Sequence, residues 1–95
     1  MLNKRDAIEI VQKAIVMAGG YNEEHQENET LNQAGLKSGH QRESFQRKVA
    51  VGVGEKGHKI GEVSKIPNHA QTTVAGVREY IVKTAVPIPR EQEGK

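Results

Sequence analysis

Ser38 and Ser44 in this 95-residue sequence are candidate nucleophiles, and His25, His40, His58 and His69 are candidate bases or metal ligands. No two histidines stand four apart, so no helix face presents a local metal pair, and surface positions are the expectation. No GxSxG turn holds either serine in the strained pose of a hydrolase nucleophile. Cysteine is absent, which removes disulfides, thiolate chemistry and cysteine-based zinc sites together. Gly52-Val-Gly54-Glu-Lys-Gly57 spells GxGxxG after an apolar run. In a dinucleotide site such glycines open a helix that holds a pyrophosphate. Here Gly61 and Pro67 interrupt that helix, and a glycine-rich turn accounts for the pattern. Asn28-Glu29-Thr30 matches a glycosylation sequon, which carries meaning only behind a secretory signal. The residues point to binding, with no catalytic group and no metal.

Charge is the next source of chemistry. The net charge is only +2, but it is unevenly spread. Residues 21–36 carry Glu23, Glu24, Glu27 and Glu29 without Lys or Arg. Residues 37–65 carry Lys37, Arg42, Arg47, Lys48, Lys56, Lys59 and Lys65 against Glu43, Glu55 and Glu62. An acidic segment thus precedes a basic one. This describes either two solvated faces or a basic surface that meets phosphates. Tyr21, Phe45 and Tyr80 are too few to stack successive bases, so duplex nucleic acid is expected over single strands. Residues 7–18 are apolar on average, but Glu9, Gln12 and Lys13 break any signal-peptide core. No run approaches the ~20 apolar residues that span a bilayer. The first helix also lacks the strongly basic face that binds anionic lipid. A cytoplasmic protein without a membrane partner is expected.

These groups need elements to position them. Ala7, Ile8, Val11, Ala14, Ile15 and Ala18 recur at helical spacing behind an Asn3 cap, and Gly19-Gly20 ends that helix. Residues 21–30 read as a loop and 31–36 as a helical turn. Ser38 caps a second helix running to about Val49, with Phe45 and Val49 inward. Val49, Val51 and Val53 then alternate as in a strand, and with 59–62 they predict a short hairpin. A last helix spans about 71–83, capped by Thr72 or Thr73, with Val74, Val77 and Ile81 inward. The expected fold is mainly α: a small helical domain at 1–86 with a C-terminal helix-turn-helix-like pair and a short β-hairpin. The alternatives are α+β or an acyl-carrier-like four-helix bundle. Residues 87–95 are expected as a polar, disordered tail. The apolar content is modest, which makes a homodimer the expected state.

Residues 60–79, IGEVSKIPNHAQTTVAGVRE, resemble the helix-turn-helix of DNA-binding regulators. The resemblance implies that the helix at 71–83 lies in the major groove. Gln71, Thr72 and Thr73, with Ala75 and Gly76, would then face bases, while Lys59, Lys65 and Arg78 would hold phosphates. Arg42, Arg47 and Lys48 would add basic surface. The function implied is a small non-enzymatic protein that reads duplex DNA, as a regulator or an accessory factor of a mobile element.

A second resemblance rests on residues 30–45, TLNQAGLKSGHQRESF, and 72–81, TTVAGVREYI. These look like the pieces of acyl carrier proteins that flank the prosthetic-group serine and close the last helix. By that resemblance Ser38 would carry phosphopantetheine and the partner would be an enzyme. Lys37 and Gly39 stand where that family has Asp and Leu, the following helix is basic rather than acidic, and the two pieces are separated by an insertion. On the residues alone, Ser38 is a helix N-cap. A third possibility is a protein-interaction adaptor that uses the first helix stripe.

Overall fold

Asn3 accepts a hydrogen bond from the Asp6 amide at 2.9 Å, and the Asp6 carboxylate accepts from the Asn3 amide. This reciprocal cap starts α1, Lys4–Met17. The computed structural model describes residues 2–89. Ala7, Ile10, Val11, Ala14 and Ile15 are the buried face of α1. Ile8, expected inward, is exposed, and Ile10 takes its place because α1 packs against two helices rather than one. Gly19 adopts φ +95°, and the Gly20 and Gly19 amides donate to the carbonyls of Ile15 and Val16. That is a Schellman end, and only glycine enters it freely.

The second helix, α2, covers Gly39–Glu55, six residues beyond the expected end. The strand expected at 49–53 is therefore helix. Phe45, Val49 and Val53 stand four apart and all are buried, so the helical period wins over the alternating one. Gly52 is buried against α1, where an added Cβ would come 3.0 Å from Ile10 Cγ2. The glycine that weakens the helix intrinsically also lets the two helices approach. Lys56, just past α2, ties back to α1 at 2.6 Å from Glu9 and 3.7 Å from Asp6. The Glu9 hydrogen bond, reinforced by both carboxylates, holds that ammonium above its usual pKa of 10.5.

The class expected from sequence holds: among the described residues three helices dominate and one short antiparallel two-stranded element accompanies them. The partners of that element differ. β1, His58–Lys59, pairs with β2, Val86–Pro87, with His58 opposite Pro87 and Lys59 opposite Val86. The Ile88 amide donates to the Gly57 carbonyl at 3.1 Å. Pro87 and Ile88 thus belong to the folded unit rather than to a tail, and residues 90–95 lie outside the described residues.

The expected helix-turn-helix pair is not formed. Val63–Lys65 makes a single 3-10 turn, and α3 begins only at Val74, covering Val74–Thr84. Pro67 is the physical reason for the early stop. It forces Ile66 into extended backbone, at φ −66° and ψ 128°. The irregular stretch exposes carbonyls that a longer helix would have satisfied. Gln46, buried in α2, donates its amide to Ile66 at 2.7 Å and Ser64 at 3.3 Å. Gln46→Leu keeps the volume but orphans the buried Ile66 carbonyl, which costs about 1–3 kcal/mol. Urea unfolding of the variant measures this, and an unchanged midpoint would show that the bond carries no stability.

The core gathers Phe45, Leu31, Leu36, Ile66, Val74 and Ile81 with the inner faces of α1 and α2. Among the described residues no helix is long and apolar enough to cross a membrane.

Candidate functional site

Ser38 sits on the surface at the N-cap of α2. Its Oγ accepts from the Gln41 amide at 3.1 Å and donates to Gln41 Oε1 at 3.3 Å. The same Oε1 accepts from the amides of Lys37 at 3.0 Å and Ser38 at 3.2 Å. Gln41 also donates from Nε2 to the Gly35 carbonyl, and Arg42 Nη1 donates to the Leu36 carbonyl at 3.0 Å. Two side chains of the first helical turn therefore clamp the chain leading into the serine. Buried Leu36 and Phe45 anchor this corner from below. Gly39, next to the serine, has open space where a Cβ would project, and Lys37, Gly39 and His40 are all exposed.

The electrostatics at this corner are positive. The amides of Gly39 and His40 precede the first intrahelical bond, and the aligned peptide dipoles place partial positive charge there. Lys37 adds a full charge, and no acidic residue occupies the first turn of α2. An anion attached to Ser38 Oγ would be stabilised by all three.

The two segments flanking the insertion meet. Thr30 and Thr73 form an antiparallel bridge. Around it, the Leu31 amide donates to the Thr72 carbonyl at 2.9 Å and the Asn32 amide to Ala70 at 3.1 Å. The Val74 and Ala75 amides donate to the carbonyls of Glu29 at 2.8 Å and Glu27 at 3.0 Å. The acidic loop thus closes over the start of α3, and residues 30–36 run from that junction directly to Ser38.

The residues expected to face DNA are not brought to one surface. Thr72 and Thr73 spend their hydroxyls locally, accepting from the amides of His69 and Gly76. Thr73 is the α3 cap, as expected for one of the two threonines. Gln71 is exposed ahead of α3, not on it. Lys59 is exposed on β1, and Lys65 stands 3.9 Å from Glu62. Arg78 lies elsewhere, in a groove of about 540 Å³ between α1 and α3 that Lys4, Glu27 and Lys83 also line. It donates to the His25 carbonyl at 3.4 Å, and its Nε is buried without a partner among the described residues. Of the additional cations, Arg47 is exposed, while Arg42 and Lys48 are half-buried, Arg42 as part of the clamp. Gly52 and Gly54 lie inside α2, so the GxGxxG spelling forms no phosphate loop, and only its end, Lys56 with Gly57, makes the expected turn. Gly57 adopts φ +76° there.

Two features went unread in the sequence. Ser38 and Gln41 form a capping box, and its S-x-x-Q spacing was visible. His25, expected on the surface, is buried; its Nδ1 lies 2.7 Å from Glu29 Oε2 and its Nε2 3.0 Å from the Tyr21 carbonyl oxygen. The i,i+4 spacing of His25 and Glu29 carried that signal, although the pair sits in a loop.

No protein-family model, curated protein or solved structure matches this chain.

Proposed function

We propose that this chain is a non-enzymatic carrier module, similar to acyl carrier proteins, that is modified at Ser38 and presented to a partner enzyme. The observation that carries the reading is the junction of its two carrier-like segments. The segment leading to Ser38 is hydrogen-bonded directly to the segment that starts the last helix, across the Thr30–Thr73 bridge. The residues that separate them in sequence, 46–71, form the rest of α2, β1 and the 3-10 turn. Three features of Ser38 support phosphopantetheine as its modification. The residue is exposed, a small residue follows it, and the helix N-terminus with Lys37 favours a phosphodiester. When bound, that group supplies a thiol that holds an acyl chain as a thioester. The protein's part is to hold the attachment point rigidly, through Gln41 and Arg42, on an otherwise open corner.

The partner surface follows from the same geometry. Lys37, His40 and Arg47 are exposed on or next to α2. A partner enzyme that reads this helix should therefore present acidic groups, the reverse of what an acidic carrier helix demands.

Intact-mass spectrometry after incubation with coenzyme A and a broad-specificity phosphopantetheinyl transferase tests the reading. The expected result is one added phosphopantetheine on wild type and none on Ser38→Asp. Aspartate is also a favoured N-cap, so loss of modification would not reflect a melted helix. An unmodified wild type would overturn the carrier reading.

Duplex DNA binding is the second reading. It is favoured by Lys37, Arg47 and Lys59, which are exposed and make no ion pair among the described residues. It requires binding to random duplex that weakens steeply with salt, because phosphate contacts release counterions.

A further inference from the structure

The acidic loop places a nitrogen and two carboxylates around one point, and it does so with the nitrogen locked. The His25 side chain is fully enclosed. Its Nε2 lies 3.0 Å from the Tyr21 carbonyl oxygen, which can only accept, so Nε2 carries a hydrogen. In the neutral ring Nδ1 is then the acceptor. Yet Nδ1 faces Glu29 Oε2 at 2.7 Å, and a carboxylate is also an acceptor. At that distance the two acceptors share a proton, and a metal ion takes the proton's place only when they part to the spacing of two metal ligands. Glu23 supplies a further oxygen, and the three ligand atoms lie within 4.8 Å of one another. The Glu23 carboxylate makes no hydrogen bond or ion pair among the described residues.

We infer that Glu23, His25 and Glu29 bind a divalent ion of the zinc class, which fastens the acidic loop over the start of α3.

Three physical points support the choice of ion. Metal-bound histidines commonly donate their second ring N–H to a backbone carbonyl, which fixes tautomer and orientation, and the Tyr21 carbonyl is placed for that role. One imidazole with two carboxylates suits zinc, whereas calcium and magnesium take oxygen ligands. Zinc-bound N and O atoms at ~2.0–2.2 Å stand roughly 3.3–3.5 Å apart in a tetrahedron. The His25–Glu29 separation must open slightly to reach that spacing, and the exposed Glu23 needs only to swing inward. Glu23 and Glu29 also border an open concavity with Gln26, Asn28 and Gln33, which admits water to the fourth position.

The consequence reaches α3. The loop that carries the three ligands also supplies the carbonyls of Glu27 and Glu29 to the first amides of α3, and the His25 carbonyl to Arg78. An ion bound there therefore stabilises the junction as well as the loop. The inference does not depend on the modification of Ser38.

The test uses the full chain, free of any affinity tag and stripped with a chelator. Zn2+ is titrated by calorimetry, with Mg2+ in parallel, and histidine ring nitrogens are followed by NMR. One Zn2+ per chain is expected, with the melting temperature raised, Mg2+ without effect, and the His25 Nδ1 resonance the one that moves. Glu23→Gln removes one ligand from an exposed position and leaves the fold intact, so at least a ten-fold weaker affinity is expected from it. Absence of stoichiometric Zn2+ binding overturns the inference. So does affinity unchanged in Glu23→Gln, or a response confined to His40, His58 or His69.

Discussion

Phe45→Ala is expected to lower the stability of this domain by about 3–5 kcal/mol, the range for removing a fully buried aromatic ring. Phe45 is the largest completely enclosed side chain among the described residues and the only phenylalanine of the sequence. It stands on α2 one turn before Val49 and two before Val53, where that helix meets the rest of the core. Few neighbours could collapse into the space, because the surrounding core is built mainly of Val, Leu, Ile and Ala. Small domains have total stabilities of about 5–15 kcal/mol, so a large share of the native state's advantage would vanish. Urea unfolding followed by circular dichroism measures the loss. A change below about 1 kcal/mol would mean that Phe45 is not packed as described, since that is the scale of a conservative core swap. Phe45→Leu retains most of the apolar volume and should cost clearly less than the alanine variant.

The second large effect concerns a residue three positions before Ser38. Gly35 has φ +101°, and a Cβ there would come 2.9 Å from the Tyr21 amide nitrogen and 3.0 Å from Gly20 Cα. Both neighbours are backbone, and the Tyr21 amide is fixed by its bond to the Ala34 carbonyl at 2.9 Å. Gly20 faces the same contact from the other side, where a Cβ would come 2.7 Å from the Ala34 carbonyl oxygen. Gly35→Ala thus meets two costs: ~1–2 kcal/mol for a side chain at positive φ and ~1–3 kcal/mol for overpacking. A loss of about 3 kcal/mol is expected, read by the same unfolding experiment. A functional consequence follows, because the Gly35 and Leu36 carbonyls are the points that Gln41 and Arg42 grip. Under the carrier proposal, the variant should be modified at Ser38 more slowly than wild type, even under conditions where it remains folded. Stability and modification rate both equal to wild type would show that the clamp does not position the serine.

Much of the architecture was legible from residue order because local chemistry specified it. Asn3 and Asp6 announce the start of α1, Gly19-Gly20 its end, Ser38 the start of α2 and Thr73 the start of α3. Caps and glycine ends are short-range events, and their hydrogen bonds close within a few residues. The inward faces of 74, 77 and 81 were readable for the same reason, because a helix repeats locally. Tertiary structure decided the rest. The stretch 49–53 satisfies both the strand and the helix period, and only the burial of Val49 and Val53 and the close seat of Gly52 on Ile10 choose between them. Pro67 marked a break, but the loss of the first helix of the expected pair also required Gln46, eighteen and twenty residues away, to satisfy the freed carbonyls. His25 looked like one more polar loop residue, and its burial arises from a loop folded back over α3. Residue order alone was enough for the caps at Asn3, Ser38 and Thr73, the glycine end of α1 and the inward positions of α3. Only the folded chain determined which segments touch: β1 with β2, Thr30 with Thr73, and Gln46 with Ile66. Those contacts join residues far apart in sequence, and their energy depends on burial and mutual geometry, which no local pattern encodes.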